Sequence, residues 1–236
     1  MKNKEEIIIV NGGDGSLLNA HHKYPIKTIL LPIRDSELCD KHKSKDFAKI
    51  INSKHILHLV DKKDISIFNL LTSSLDIEPA LSEYVIKNDI SNEALRYTIK
   101  VYDKIGNLIY SDYVISDGII IATKLGSTGY FKSITNTIFN TTNNIGVAHI
   151  CSTTHKSHLI LDENSFIEIN INRGIPYIVC DNIELKTYIL NNTNITFRLN
   201  EKLKRKVYCY KEFMCKDCIK LRNEYKEKNI IKRINK

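Results

Sequence analysis

Three glycines enclose one acid at Gly12-Gly13-Asp14-Gly15, directly after the β-branched run Ile7–Val10 and directly before Ser16, Leu17 and Leu18. Glycine at the end of a strand gives a tight turn and lets a phosphate approach the backbone N–H groups. A helix starting there adds partial positive charge facing the same anion. A carboxylate in that place repels a bare phosphate, so it must handle something else: a hydroxyl to be deprotonated, or a bound metal ion. The combination suggests phosphoryl transfer to an alcohol. Taken alone, GGDG reads equally well as an aspartate N-cap after a glycine turn.

A second constellation lies a hundred residues on. Asp117-Gly118 leads into the apolar run Ile119–Ala122, then the small-residue loop Gly126-Ser127-Thr128-Gly129, then Tyr130 and the helix-compatible stretch containing Ser133. The loop carries hydroxyls and backbone donors suited to phosphate or ribose. Tyr130 is placed to stack on a base or to pack in the core, and packing is the commoner use of such a ring.

With GGDGS, the segment DGIIIATKLGSTGYFKS and the Ser82-Glu83 pair in order, the chain resembles the NAD kinases from about residue 7 to residue 171. Their hallmarks are GGDG followed by Thr or Ser, an Asn-Glu pair, and a downstream DG-strand-TPTGSTAY segment. Ser82 stands where the family has asparagine, and Lys124-Leu125 where it has Pro-Thr. Diacylglycerol kinases and phosphofructokinases share the GGDG element but are not expected to carry GSTGY. The resemblance implies a trimmed α/β N-terminal lobe packed against a larger, mainly β lobe, with the nucleotide between them. It implies that Asp14 takes the proton from the adenosine 2′-hydroxyl of NAD as that oxygen attacks the ATP γ-phosphate, with Mg²⁺ accompanying the ATP. Gly12, Gly13, Gly15 and Ser16 would receive phosphate. Ser82, Glu83, Asp117, Gly126, Ser127, Thr128, Gly129, Tyr130 and Ser133 would meet the dinucleotide. Two other readings stay open: a GGDG-type kinase of another alcohol, and a non-catalytic NAD(P)-binding regulatory protein. Eleven residues precede Gly12, and so short a first lobe suggests dependence on a partner subunit, so a homo-oligomer is expected.

These residues need elements to hold them. Strands at about 6–10, 27–33 and 56–60 alternate with helices at about 14–22 and 45–52, a pattern for a parallel, helix-flanked sheet. From about residue 80 to 199 the chain turns β-rich. Segments 96–102 and 107–114 flank the hairpin signal Asp103-Lys104-Ile105-Gly106, and 166–171, 177–180 and 195–199 continue the series. One helix is expected inside this region, at about 127–139. The domain expectation is a small α/β lobe over 1–75, a mainly β lobe over 76–200, and a basic helical tail over 201–236.

The 236 residues suffice for a sizeable core. The net charge of +8 is concentrated: residues 201–236 carry 13 Lys/Arg against 5 Asp/Glu, and the rest of the chain balances at 22 of each. That is a neutral body with a solvated basic end rather than a nucleic-acid-binding protein. No apolar run approaches the ~20 residues of a membrane span, and the N-terminus lacks a signal-peptide core, so a cytoplasmic protein is expected. Cys209, Cys215 and Cys218 supply three of the four ligands a zinc knuckle needs. Cys39, His155 and His158 are distant candidates for the fourth, and the expectation is no metal site in the chain.

Overall fold

A computed structural model describes residues 6–33, 65–139, 144–154 and 157–208. They fall into two compact units. The described part of the first is 6–33, 65–67 and 205–208; the second is 68–204.

The first unit is a βαβ turn. Strand β1 (Ile7–Asn11) leads through the glycine motif into α1 (Asp14–Lys23), which returns the chain to β2 (Ile29–Ile33). β1 and β2 pair in parallel from Ile7↔Ile29 to Asn11↔Ile33. On its other side β2 pairs in parallel with the end of the last strand, Lys206↔Ile29 and Val207↔Leu30. α1 buries Leu17, Ala20 and His21. Among the described residues β1 is an edge strand, with Ile7 42% and Ile9 58% exposed. Its unbroken apolar run suggests burial on both faces, but only Val10 is buried.

The second unit is a sandwich of two sheets. One holds β3 (Ile65–Ser73), β5 (Leu95–Tyr102), β6 (Leu108–Ser116), β10 (Phe166–Arg173) and the first part of β13 (Asn194–Tyr208), running β13-β10-β5-β6 with β3 on the other flank of β13. The other holds β4 (Glu83–Asn88), β7 (Gly118–Ala122), β8 (Ile145–Ile150), β9 (Leu159–Leu161), β11 (Pro176–Cys180) and β12 (Thr187–Tyr188), in the order β12-β11-β4-β7-β8-β9. In β5, β10 and early β13 every second residue faces inward, so Tyr97, Ile99, Ile167, Ile169, Ile195 and Phe197 meet Tyr84, Ile86, Ile119 and Ile121 of the second sheet. β7 is buried at all five positions. Ile119 and Ile121 face the sandwich core, while Ile120 and Ala122 face a second cluster built on Phe131 and Phe139. That cluster is where α2 (Tyr130–Thr135) covers the sheet. Gly146 makes the cover possible: a Cβ there would lie 2.8 Å from Phe131 Cε2.

Two expectations need correction. The helix after the GSTG loop is shorter than 127–139. It is a 3₁₀ turn over Gly126–Thr128 and then α2, ended by Asn136 in the left-handed conformation at φ 53°. The expected helical tail is strand over 201–208. Its lysines alternate with inward positions, Lys204 and Lys206 preceding the buried Arg205 and Val207, and period two is the signature of a strand. The helix expected at 45–52, the strand at 56–60, Cys39, His155 and the tail cysteines lie outside the described residues.

Candidate functional site

In the first unit, the glycine motif is shaped by a single unusual backbone. Gly12 has φ +137°, and a Cβ there would run into Ser16 Oγ and lie 2.8 Å from Ser16 Cβ. Ser16 therefore folds back over the turn in space only glycine leaves. Gly13 is the N-cap of α1 and Asp14 its first residue; no side chain caps the helix, and Gly13 O accepts the Leu17 N–H at 3.2 Å. The N-cap reading of Asp14 is thereby replaced: its carboxylate sits in the first turn, with Oδ1 buried. Gly12, Gly13, Gly15 and Ser16 thus surround Asp14 at the positive end of a ten-residue helix.

The other end of α1 is held by a residue that no motif announces. Arg205, on β13, is wholly buried. Its Nε donates to His21 Nδ1 at 3.0 Å, its Nη2 to the carbonyls of His21 (2.7 Å) and Tyr24 (2.9 Å), and its Nη1 to Pro25 O (2.8 Å) and Thr28 Oγ1 (3.2 Å). These carbonyls include the unsatisfied ones at a helix C-terminus, so a cation is favoured there. Burial pushes the guanidinium pKa down to about 10, leaving it charged at neutral pH. The acceptor role of His21 Nδ1 places that ring's neutral-state proton on Nε2. The only sequence signal is an arginine in an inward slot of an alternating strand.

In the second unit, Ser82-Glu83 and the GSTG loop come together. Glu83 pairs with Ala122 at the carboxyl end of β7, where the loop begins. A Cβ on Gly126 would collide with the Ser82 carbonyl oxygen and lie 2.7 Å from Glu83 Oε2. Seen from Gly129, the Glu83 carboxylate oxygens stand at ordinary contact, 3.8 and 3.9 Å from an ideal Cβ. The Ser82 hydroxyl is buried and donates to Glu83 Oε2 at 2.9 Å. Thr123 ties the two segments: its N–H donates to Ser82 O and its Oγ1 to Leu81 O, both at 2.8 Å.

The hydroxyls of the loop and of the first turn of α2 are spent on nearby carbonyls. Ser127 Oγ donates to Lys124 O at 2.8 Å, Thr128 Oγ1 to Leu125 O at 3.0 Å, and Ser133 Oγ to Tyr130 O at 2.7 Å, all three residues back. What the turn presents outward is the exposed Gly129 backbone and the half-buried Tyr130 ring. Lys87 Nζ lies 5.0 Å from the Tyr130 ring centroid, and the ring also packs on the Phe131 cluster. Asp117 is exposed at the amino end of β7, where Gly118 pairs with Lys87. Five strand residues, roughly 16 Å, separate it from the Glu83 end.

A further carboxylate completes this corner. Asp181 follows β11 in the left-handed conformation, φ 50°. It accepts the backbone N–H groups of Leu81 (2.9 Å), Ser82 (2.7 Å) and Glu83 (2.9 Å). Beside it the Cys180 thiol donates to Glu78 O at 3.2 Å; burial, then the charge of Asp181, pushes its pKa far up, which makes it an inert core thiol.

The model of the ATP-NAD kinase C-terminal domain family matches residues 81–208. No curated protein sequence matches the chain. Its fold is similar to that of an NAD kinase from Archaeoglobus fulgidus solved in complex with ATP, with a TM-score of 0.71, 18% identity, and coverage of 94% of this chain and 87% of that one. It is also similar to a yeast NADH kinase complexed with NADH, with a TM-score of 0.70, 17% identity, and coverage of 94% and 67% respectively.

Proposed function

This chain belongs to the ATP-NAD kinase family, and from that membership we propose that it moves the γ-phosphoryl group of ATP to the adenosine 2′-hydroxyl of NAD, giving NADP and ADP. The observation that supports this most is the packing of the Glu83 carboxylate against Gly126 and Gly129, which joins the Ser82-Glu83 pair to the GSTG loop far along the sequence. A carboxylate at that spot accepts ribose hydroxyls, the exposed Gly129 backbone can approach the ligand closely, and Tyr130 offers a ring face to it. Asp14 is the general base. As the 2′-oxygen bonds to the γ-phosphorus, its proton passes to the Asp14 carboxylate and the β,γ-bridging oxygen leaves with ADP. The glycine turn and the first N–H groups of α1 offset phosphate charge. The donor set there, one carboxylate beside backbone N–H groups, is no cage for a resident ion. It suits Mg²⁺ arriving as MgATP, since that ion keeps phosphate and water oxygens around it.

Incubation with NAD, ATP and Mg²⁺ should yield NADP, detected with an NADP-specific dehydrogenase. Asp14→Asn should lower the rate by about 10²–10⁴-fold. No product from the wild-type protein sinks the proposal; equal activity in the variant sinks only the base assignment. One observation favours a second reading, a kinase of another alcohol: the Ser82 hydroxyl is committed to Glu83 and offers a ligand no amide. A screen of γ-phosphate transfer across sugars, nucleosides and lipids separates the two. NADP binding without ATP turnover would instead indicate a regulatory protein. Assembly into a homo-oligomer is part of the proposal, supported by exposed Leu108, Ile109 and Tyr113 on β6, and light scattering on the purified chain tests it. Among the described residues no helix is long and apolar enough to cross a membrane.

A further inference from the structure

Glu83 can meet a ligand only if the chain at the start of β4 is held still, and the means of holding it lies outside both sequence motifs. β11 pairs antiparallel with β4 up to Cys180↔Tyr84. The next residue of β11 would ordinarily continue opposite Glu83. Asp181 instead turns left-handed, φ 50°, a conformation aspartate tolerates better than most residues. Its own N–H still donates to Glu83 O at 2.8 Å. Its carboxylate meanwhile reaches back along β4 and receives three successive backbone N–H groups: Oδ1 those of Ser82 and Glu83 at 2.7 and 2.9 Å, Oδ2 that of Leu81 at 2.9 Å.

Those three donors converge on one point, which calls for an anion with two acceptor oxygens. The carbonyls of Leu81 and Ser82 are taken from the opposite side by Thr123, three residues before Gly126. Segment 81–83 is therefore clamped from both flanks, by Asp181 through its N–H groups and by Thr123 through its C=O groups. The Glu83 carboxylate projects from that clamped backbone onto the GSTG turn.

We infer that Asp181 is a positioning residue of the dinucleotide site: it fixes where the Glu83 carboxylate and Ser82 hydroxyl meet the ligand. It contributes to affinity, not to the phosphoryl-transfer step. The inference rests on the reading of this site as one for NAD.

Asp181→Asn and Asp181→Ala form a graded pair. An asparagine Oδ1 can keep the bonds to Ser82 and Glu83, while its NH₂ group opposes the Leu81 N–H. Alanine keeps none. NAD affinity by calorimetry, KM and kcat by steady-state assay, and thermal midpoints are measured on wild type and both variants, well below every midpoint. The alanine variant should weaken NAD binding and raise KM by about tenfold or more, equivalent to one or more lost hydrogen bonds. The asparagine variant should fall between alanine and wild type, with kcat in both within about threefold of wild type. Lower thermal midpoints with unchanged KM and affinity overturn the inference, because a merely structural residue behaves that way. Equal losses in kcat and kcat/KM also overturn it. If the alanine variant does not fold, the asparagine variant alone decides: raised KM supports the role and unchanged KM overturns it. Wild-type protein that binds no NAD overturns the functional reading and this inference together. Wild-type binding with unaltered variants overturns the inference alone.

Discussion

Gly126→Ala is a demanding test of the corner built by Ser82, Glu83 and the GSTG turn. The added Cβ would overlap the Ser82 carbonyl oxygen, stand 2.8 Å from its carbonyl carbon and 2.7 Å from Glu83 Oε2. Ordinary carbon–oxygen contact begins at about 3.3 Å. The glutamate side chain can swing away, but the Ser82 backbone cannot. Its N–H is bound by Asp181 and its C=O by Thr123. The strain therefore falls on backbone, towards the upper end of overpacking costs, about 2–3 kcal/mol. For a chain of this size that lowers the melting temperature by about 4–12 °C. The turn that must yield is the one carrying Gly129 and Tyr130, and a misplacement of ~1 Å near a reacting centre costs about 10²-fold in rate. Thermal unfolding and NADP formation at a temperature where the variant is folded read both effects. In a Glu83→Ala background the stability loss should persist, because the tightest overlap is with main chain. A Gly126→Ala protein with wild-type melting temperature and activity would refute the reasoning.

Two further outcomes follow from buried groups. Arg205→Met keeps the aliphatic stem but donates nothing, so the carbonyls of His21 and Tyr24 lose its hydrogen bonds, while Pro25 O keeps the N–H and hydroxyl of Thr28. At about 1–3 kcal/mol for each orphaned buried group, the urea midpoint should fall by the equivalent of at least ~2 kcal/mol, and trypsin should cut faster after the exposed Lys23. Unchanged midpoint and cleavage would show that the arginine is dispensable. The phenol of Tyr110 is pushed up to about 12 by burial and its bond to Asp112, and those of Tyr84 and Tyr97 are pushed higher still by burial. The unfolded chain releases these protons near pH 10 while the folded chain retains them, so stability falls as pH rises from about 10. Phenolate absorbance should show at least three of the 12 tyrosines ionising late and together with loss of structure. Uniform, reversible ionisation near pH 10 in the folded protein would contradict this.

What could be read from sequence was local. The Gly12 turn, the start of α1 at Asp14 and the hairpin at 103–106 follow from residues whose backbone preferences dominate their surroundings. β7 was recognisable because burial on both faces demands an unbroken apolar run. The pieces that escaped are set by distant partners. Asp181 looks like any loop aspartate until β11 and β4 are paired, and Arg205 looks like one more charge in a basic stretch until α1 ends above it. The hydroxyls of Ser127 and Thr128 suggested a phosphate cradle, whereas the 3₁₀ turn directs them to carbonyls three residues back. Asp117 shares a motif with Gly129 in sequence, but a whole strand lies between them in space. The alternation of 203–208 was legible in principle and was outweighed by the charge run around it.

β13 begins in one unit and ends in the other, so the first unit is assembled from the two extremities of the described chain. On the ribosome, β1, α1 and β2 emerge early but must wait for residues 205–207 before β2 gains its second neighbour and α1 its arginine. Closing that long loop carries an entropic cost, which falls once the intervening residues have folded into the second unit. Synthesis order therefore predicts that the sandwich is complete before the lobe bearing Asp14 receives its last strand. The nascent βαβ turn, with Ile7 and Ile9 open to solvent, would be the species most dependent on chaperones.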